Sequence, residues 1–97
     1  MRAKHKIKIV IRRLTKDYKN CYVDENTALK ILDFGEAKLV EMVENGTMHF
    51  PVRLIGGDDF FYQLIDVIKN SEMAHEKLYS ELKNGIESNE IKLHGFA

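Results

Sequence analysis

Gly56-Gly57-Asp58-Asp59 is the stretch of this chain best suited to chemistry. Glycines allow a backbone to come close to a phosphate, and adjacent carboxylates can hold a hard divalent cation against it. The corresponding reaction would be metal-dependent work on a nucleoside triphosphate. Its ligands would be Asp58 and Asp59, with Gly56 and Gly57 giving the phosphates room. Two elements would have to position these residues: the apolar run ending at Leu54-Ile55, and the aromatic run beginning at Phe60-Phe61.

Leu54-Ile-Gly-Gly-Asp-Asp-Phe60 resembles the Gly-Gly-Asp-Glu-Phe motif of diguanylate cyclases and the Gly-Gly-Asp-Asp of palm-type polymerases and cyclases. The resemblance implies a turn between two strands, a metal at the acids, and a strand from Phe60 onward. A palm domain needs more chain than 97 residues normally supply, and no upstream strand offers the family's first metal-binding Asp. The residues also fit a purely architectural role. The glycine doublet releases a strand, and Asp58 or Asp59 caps a helix, where an acid suits the positive end of the dipole. The expectation is therefore a change from extended chain to helix directly after Gly57, with no metal and no cofactor.

A second stretch, Leu29-Lys-Ile-Leu-Asp-Phe-Gly-Glu-Ala-Lys-Leu39, resembles the start of a protein-kinase activation segment, in which the Asp of Asp-Phe-Gly holds magnesium. A kinase also needs a glycine-rich loop, a paired β3 lysine and a catalytic His-Arg-Asp loop, and the sequence has none of them. Asp33-Phe34-Gly35 thus reads as a turn. Asp24-Glu-Asn-Thr27 offers helix N-cap chemistry, so two descriptions stay open here: a short helix over about 27–33, or a strand over 29–32 turning at 33–36.

The remaining reactive side chains are scattered. His5, His49, His75 and His94 show no ligand spacing, and Cys21 is alone, which excludes an internal disulfide framework and a cysteine zinc cluster. Glu41 with Glu44, and Glu87 with Glu90, read as solvated faces. No catalytic residue and no metal ligand is assigned.

Ninety-seven residues, 44% hydrophobic and 31% charged, describe one folded domain. No apolar run is long enough to span a bilayer, and the expected location is cytoplasmic. Net charge is zero but polarised. Residues 1–20 carry eight Lys or Arg against Asp17, a net of plus seven, and the remainder carries minus seven.

Ile7, Ile9 and Ile11 alternate with Lys6, Lys8 and Arg12, the period of a half-buried strand. Cys21-Tyr22-Val23 reads as a short second strand. Residues 38–44 and 47–55 flank Asn45-Gly46 and predict a hairpin, because both turn residues tolerate positive φ; Pro51 marks an edge or a bulge. From Phe61 to Ile86 apolar residues recur at helical spacing, with a split or a kink expected near Asn70-Ser71 and a stop at Asn84-Gly85. Residues 87–97 read as a tail or an edge strand. The predicted fold is α+β: a small antiparallel sheet of three to five strands, including the 38–44/47–55 hairpin, packed against a C-terminal amphipathic helix.

Two functional classes lead. The first is a non-enzymatic protein-interaction module of regulator or inhibitor type. It would bind a protein partner or a second copy of itself as a homodimer, through an exposed sheet edge and a face carrying Val40 and Met42. The alternative is nucleic-acid binding by Lys4, Lys6, Lys8, Arg12, Arg13, Lys16 and Lys19, with Tyr18 and Tyr22 stacking on bases. A metal-dependent nucleotide enzyme at Asp58 and Asp59 ranks third. A membrane is not expected as a partner.

Overall fold

The computed structural model describes residues 19–95. The predicted strand over 6–14 lies outside the described residues. In chain order the elements are β1 (Cys21–Asp24), α1 (Glu25–Leu32), α2 (Glu36–Glu44), β2 (Val52–Arg53), β3 (Phe60–Gln63), α3 (Leu64–Asn70), α4 (His75–Glu87) and β4 (His94–Gly95). This is a small α+β fold. Its four strands form one antiparallel sheet in the order β2-β3-β1-β4.

Strand β1 passes into α1 at Asp24, whose carboxylate accepts the Thr27 N–H at 2.8 Å. This cap resolves the open choice at 27–33 in favour of helix. Ala28, Ile31 and Leu32 form its buried stripe, and Asp33 ends it with φ of 62°. Helices α1 and α3 both contact β1 and β3, and α1 also touches α3 and α4. Val23 and Tyr62, cross-strand partners and hence on one sheet face, join Ala28, Ile31, Leu32, Leu39, Leu64, Val67, Leu78 and Leu82 in the core.

The predicted hairpin at 38–44/47–55 does not form. Residues 36–44 are α2, with Gly35 as N-cap. Leu39, Met42 and Val43, spaced by three and four, turn toward the core. Glu36, Glu41 and Glu44 stay exposed. The apolar positions suit either period, but a strand would have set Glu41 among apolar neighbours, and the helix removes that conflict. Asn45-Gly46 ends α2 instead of joining strands. Gly46 takes φ of 82° while its N–H bonds the Val43 carbonyl, and Asn45 Oδ1 accepts the Thr47 N–H. Positive φ is needed at a helix C-terminus as much as in a type I′ turn, so the dipeptide alone does not separate the two.

The expected switch to helix after Gly57 is also corrected. The chain stays extended as β3 and becomes helical only at Leu64. Phe61, Tyr62 and Gln63 pair with Asp24, Val23 and Tyr22. The ladder that β1 offers, together with the aromatic run, outweighs the local helical spacing. Asp58 and Asp59 therefore cap no helix.

Of the split or kink expected near residue 70, the structure shows the split, into α3 and α4. Ser71 is extended, its hydroxyl bonds the Ile31 carbonyl, and Glu72 N–H bonds the Leu32 carbonyl. These bonds hold the α3–α4 corner against the end of α1. Helix α4 runs past Asn84-Gly85 to Glu87. Gly85 is buried because Ile91 packs on it; a Cβ there would sit 2.5 Å from Ile91 Cδ1. The segment after α4 then supplies β4 as an edge strand beside β1.

Candidate interaction surface

Strands β2 and β3 form a hairpin at the end of the sheet, with Val52 opposite Phe61 and Arg53 opposite Phe60. Six residues, 54–59, connect them. Gly57 N–H bonds the Leu54 carbonyl at 3.0 Å, and Gly56 at φ of 81° supplies the left-handed residue this turn requires. Arg53 Nε donates to the Gly57 carbonyl at 2.7 Å, bracing the loop from its own strand. The glycine doublet thus shapes a strand-to-strand turn, the backbone form that the palm-type resemblance implies.

Both acids of that motif are exposed. Asp58 is fully exposed, and its nearest charge partner is Arg53 Nη2 at 3.9 Å. Among the described residues no group of three or more His, Cys, Asp or Glu side chains is placed to hold a metal ion.

Several apolar side chains in and around the hairpin are exposed. Phe50 is 78% exposed, Leu54 52%, Ile55 fully and Phe60 38%. Residues flanking a tight turn are ordinarily polar, since nothing covers them. The Arg53 guanidinium lies 6.0 Å from the Phe60 ring centroid, and the two aspartates that follow the glycines are exposed.

The approach to the hairpin is fixed by a pair that the sequence reading passed over. Asp66, buried in α3, accepts the backbone N–H of His49 at 2.8 Å and lies 2.7 Å from its Nδ1, both through Oδ2. Met48, 2% exposed, plugs the core one residue earlier. Between them the segment is pinned to α3, and Phe50 emerges into solvent. An aspartate orienting a histidine also occurs in hydrolytic triads. Among the described residues no hydroxyl or thiol is hydrogen-bonded to His49, so the pair reads as a structural clamp.

Cys21 and His94 do not make a nucleophilic pair. His94 opposes Tyr22 and its ring lies 4.7 Å from that of Phe61, whereas Cys21 opposes Gly95, on the other face of the sheet. Burial pushes the Cys21 thiol above its ordinary value, which lowers its thiolate fraction at neutral pH.

Of the residues expected to bind partners, four lie among the described residues: Lys19, Tyr22, Val40 and Met42. Val40 and Met42 lie on α2, not on a sheet face. Val40 is exposed, while Met42 is partly buried against the core, as two residues apart on a helix must diverge. Of the basic set, Lys19 is exposed and Tyr22 half-buried on β1. Lys4, Lys6, Lys8, Arg12, Arg13, Lys16 and Tyr18 lie outside the described residues. Among the described residues no helix is long and apolar enough to cross a membrane.

Comparison with family models, with curated proteins and with solved structures finds no match to this chain.

Proposed function

We propose that the protein is a non-enzymatic interaction module of regulator or inhibitor type whose working surface is the β2–β3 hairpin. The observation that carries this reading is that four apolar side chains in and around the hairpin, Phe50, Leu54, Ile55 and Phe60, are exposed, beside a loop that Arg53 braces. Fully burying one such side chain gains about 1.5–3 kcal/mol. Leaving four of them partly or wholly in water is a driving force for association.

The test is affinity capture from the soluble extract of the source cells, with immobilised wild type beside Ile55→Asp and Val40→Asp. Proteins retained by wild type and by Val40→Asp but lost with Ile55→Asp support the reading. Retention indifferent to position 55 contradicts it.

Nucleic-acid binding is a second reading, favoured by the net charge of plus seven over residues 1–20. Phosphate contacts release counterions, so this reading requires binding of mixed-sequence DNA or RNA that weakens steeply as salt rises. Absence of binding at low salt removes it.

A further inference from the structure

We infer that Asn45 is a site of spontaneous covalent modification, at which the side-chain amide is lost and the chain gains a carboxylate, while the same dipeptide at Asn84 is protected by the fold. The inference is independent of what the hairpin binds. The sequence holds two Asn-Gly pairs, Asn45-Gly46 and Asn84-Gly85. In such a pair the glycine backbone nitrogen can attack the asparagine Cγ, because no Cβ on the glycine hinders the approach. The N–H proton passes to hydroxide, the new N–Cγ bond closes a five-membered imide, and the Cγ–Nδ2 bond breaks as ammonia leaves with a proton from water. Water then opens the imide at either carbonyl, giving aspartate or isoaspartate. One water is consumed and one ammonia released.

The two sites differ in what must move. Closure needs the Gly46 nitrogen to turn toward the Asn45 side chain, hence a rotation of Asn45 ψ away from its 2°. That rotation parts the bonds from Gly46 N–H to the Val43 carbonyl and from the Thr47 N–H and hydroxyl to Asn45 Oδ1, within or beside the exposed run 44–47. A Cβ built on Gly46 would meet nothing within 4 Å, so this glycine can take up a compensating rotation while Met48 stays in the core. Openings of this kind at a helix end cost little. Asn84 lies a turn inside α4, where its carbonyl accepts the Ser88 N–H at 2.9 Å. Gly85 is buried, its carbonyl accepts the Ile91 N–H at 2.9 Å, and the Ile91 side chain closes over it. Turning the chain at 84 therefore unseats Ile91 and the segment that leads to β4. The product also bears on α2, whose last turn carries Glu41 and Glu44 and no basic residue. A further carboxylate at position 45 meets like charge at the negative end of the helix dipole.

The full chain is incubated at neutral pH and body temperature, folded in buffer and unfolded in guanidinium chloride, and both sites are followed by peptide mass spectrometry with aspartate separated from isoaspartate. In the folded chain Asn45 is expected to convert at least about tenfold faster than Asn84, a barrier difference of at least about 1.4 kcal/mol. In denaturant the two rates converge, and isoaspartate appears at both positions. No conversion at Asn45 in the folded chain, or equal rates at the two sites there, overturns the inference. A gap that persists unchanged in denaturant assigns the selectivity to local sequence and overturns protection by the fold. Conversion of Asn45 to aspartate alone overturns the imide route.

Discussion

Asp66 accepts two hydrogen bonds from one residue through a single oxygen, so the cost of removing it is distinct from the cost of removing the ring it holds. Asp66→Ala leaves the His49 N–H without its partner and is expected to destabilise the fold by about 1–3 kcal/mol. His49→Ala keeps the backbone bond and is expected to cost less than about 1 kcal/mol. Urea unfolding of both variants checks the order; equal losses would show that the ring, not the backbone bond, anchors the segment. Tyr62 offers a pH-dependent readout. Burial, then the charges of Glu25 and Glu36, raises its phenol above the ordinary 10.0. The folded state therefore holds this proton more tightly than the unfolded state. Stability from this source is complete below pH 10.0 and is lost as pH climbs through the higher folded value. Titration followed by tyrosinate absorbance should show a late-ionising group among the four tyrosines, and Tyr62→Phe should abolish it.

Helix α1 was half legible: its signal is local, since Asp24 stands three residues before the N–H it caps and good helix formers follow, but the same residues also suited a strand over 29–32 turning at 33–36. Asp24→Ala is expected to cost about 1 kcal/mol, with Asp24→Asn recovering most of it, as measured by thermal unfolding. Strand β3 was illegible for the opposite reason. Phe60–Gln63 continue smoothly into the helical spacing of α3, and what makes them extended is β1, some forty residues away in sequence. Helix α2 failed at a third kind of limit. Leu39, Val40, Met42 and Val43 satisfy both periods, and only Glu41 distinguishes them. The site was half legible by the same logic. Gly56 and Gly57 were read as the point where a strand gives way to helix, whereas the strand-to-strand turn they make depends on β3. Leu54 and Ile55 were placed inside a strand, although their adjacency to a glycine doublet was the available sign of exposure at a tip.

For the whole molecule, core and surface divide the labour cleanly. Helices α1, α3 and α4 enclose one face of the sheet, and the Ser71 and Glu72 bonds to the end of α1 make the helical layer one body. The hairpin projects from the sheet's edge, held at its root by Asp66 and along its arm by Arg53. A rigid, pre-shaped apolar loop loses little conformational entropy on docking, which favours binding over a loosely held equivalent. Cross-linking at the tip tests this most directly. A photoreactive phenylalanine analogue replaces Ile55 in one preparation and the exposed Lys83 of α4 in another, and both are irradiated in the source cells. Discrete protein adducts at position 55 and none at position 83 are predicted. An absence of adducts at position 55, or equal labelling at both sites, would contradict the assignment of this hairpin as the surface through which the protein acts.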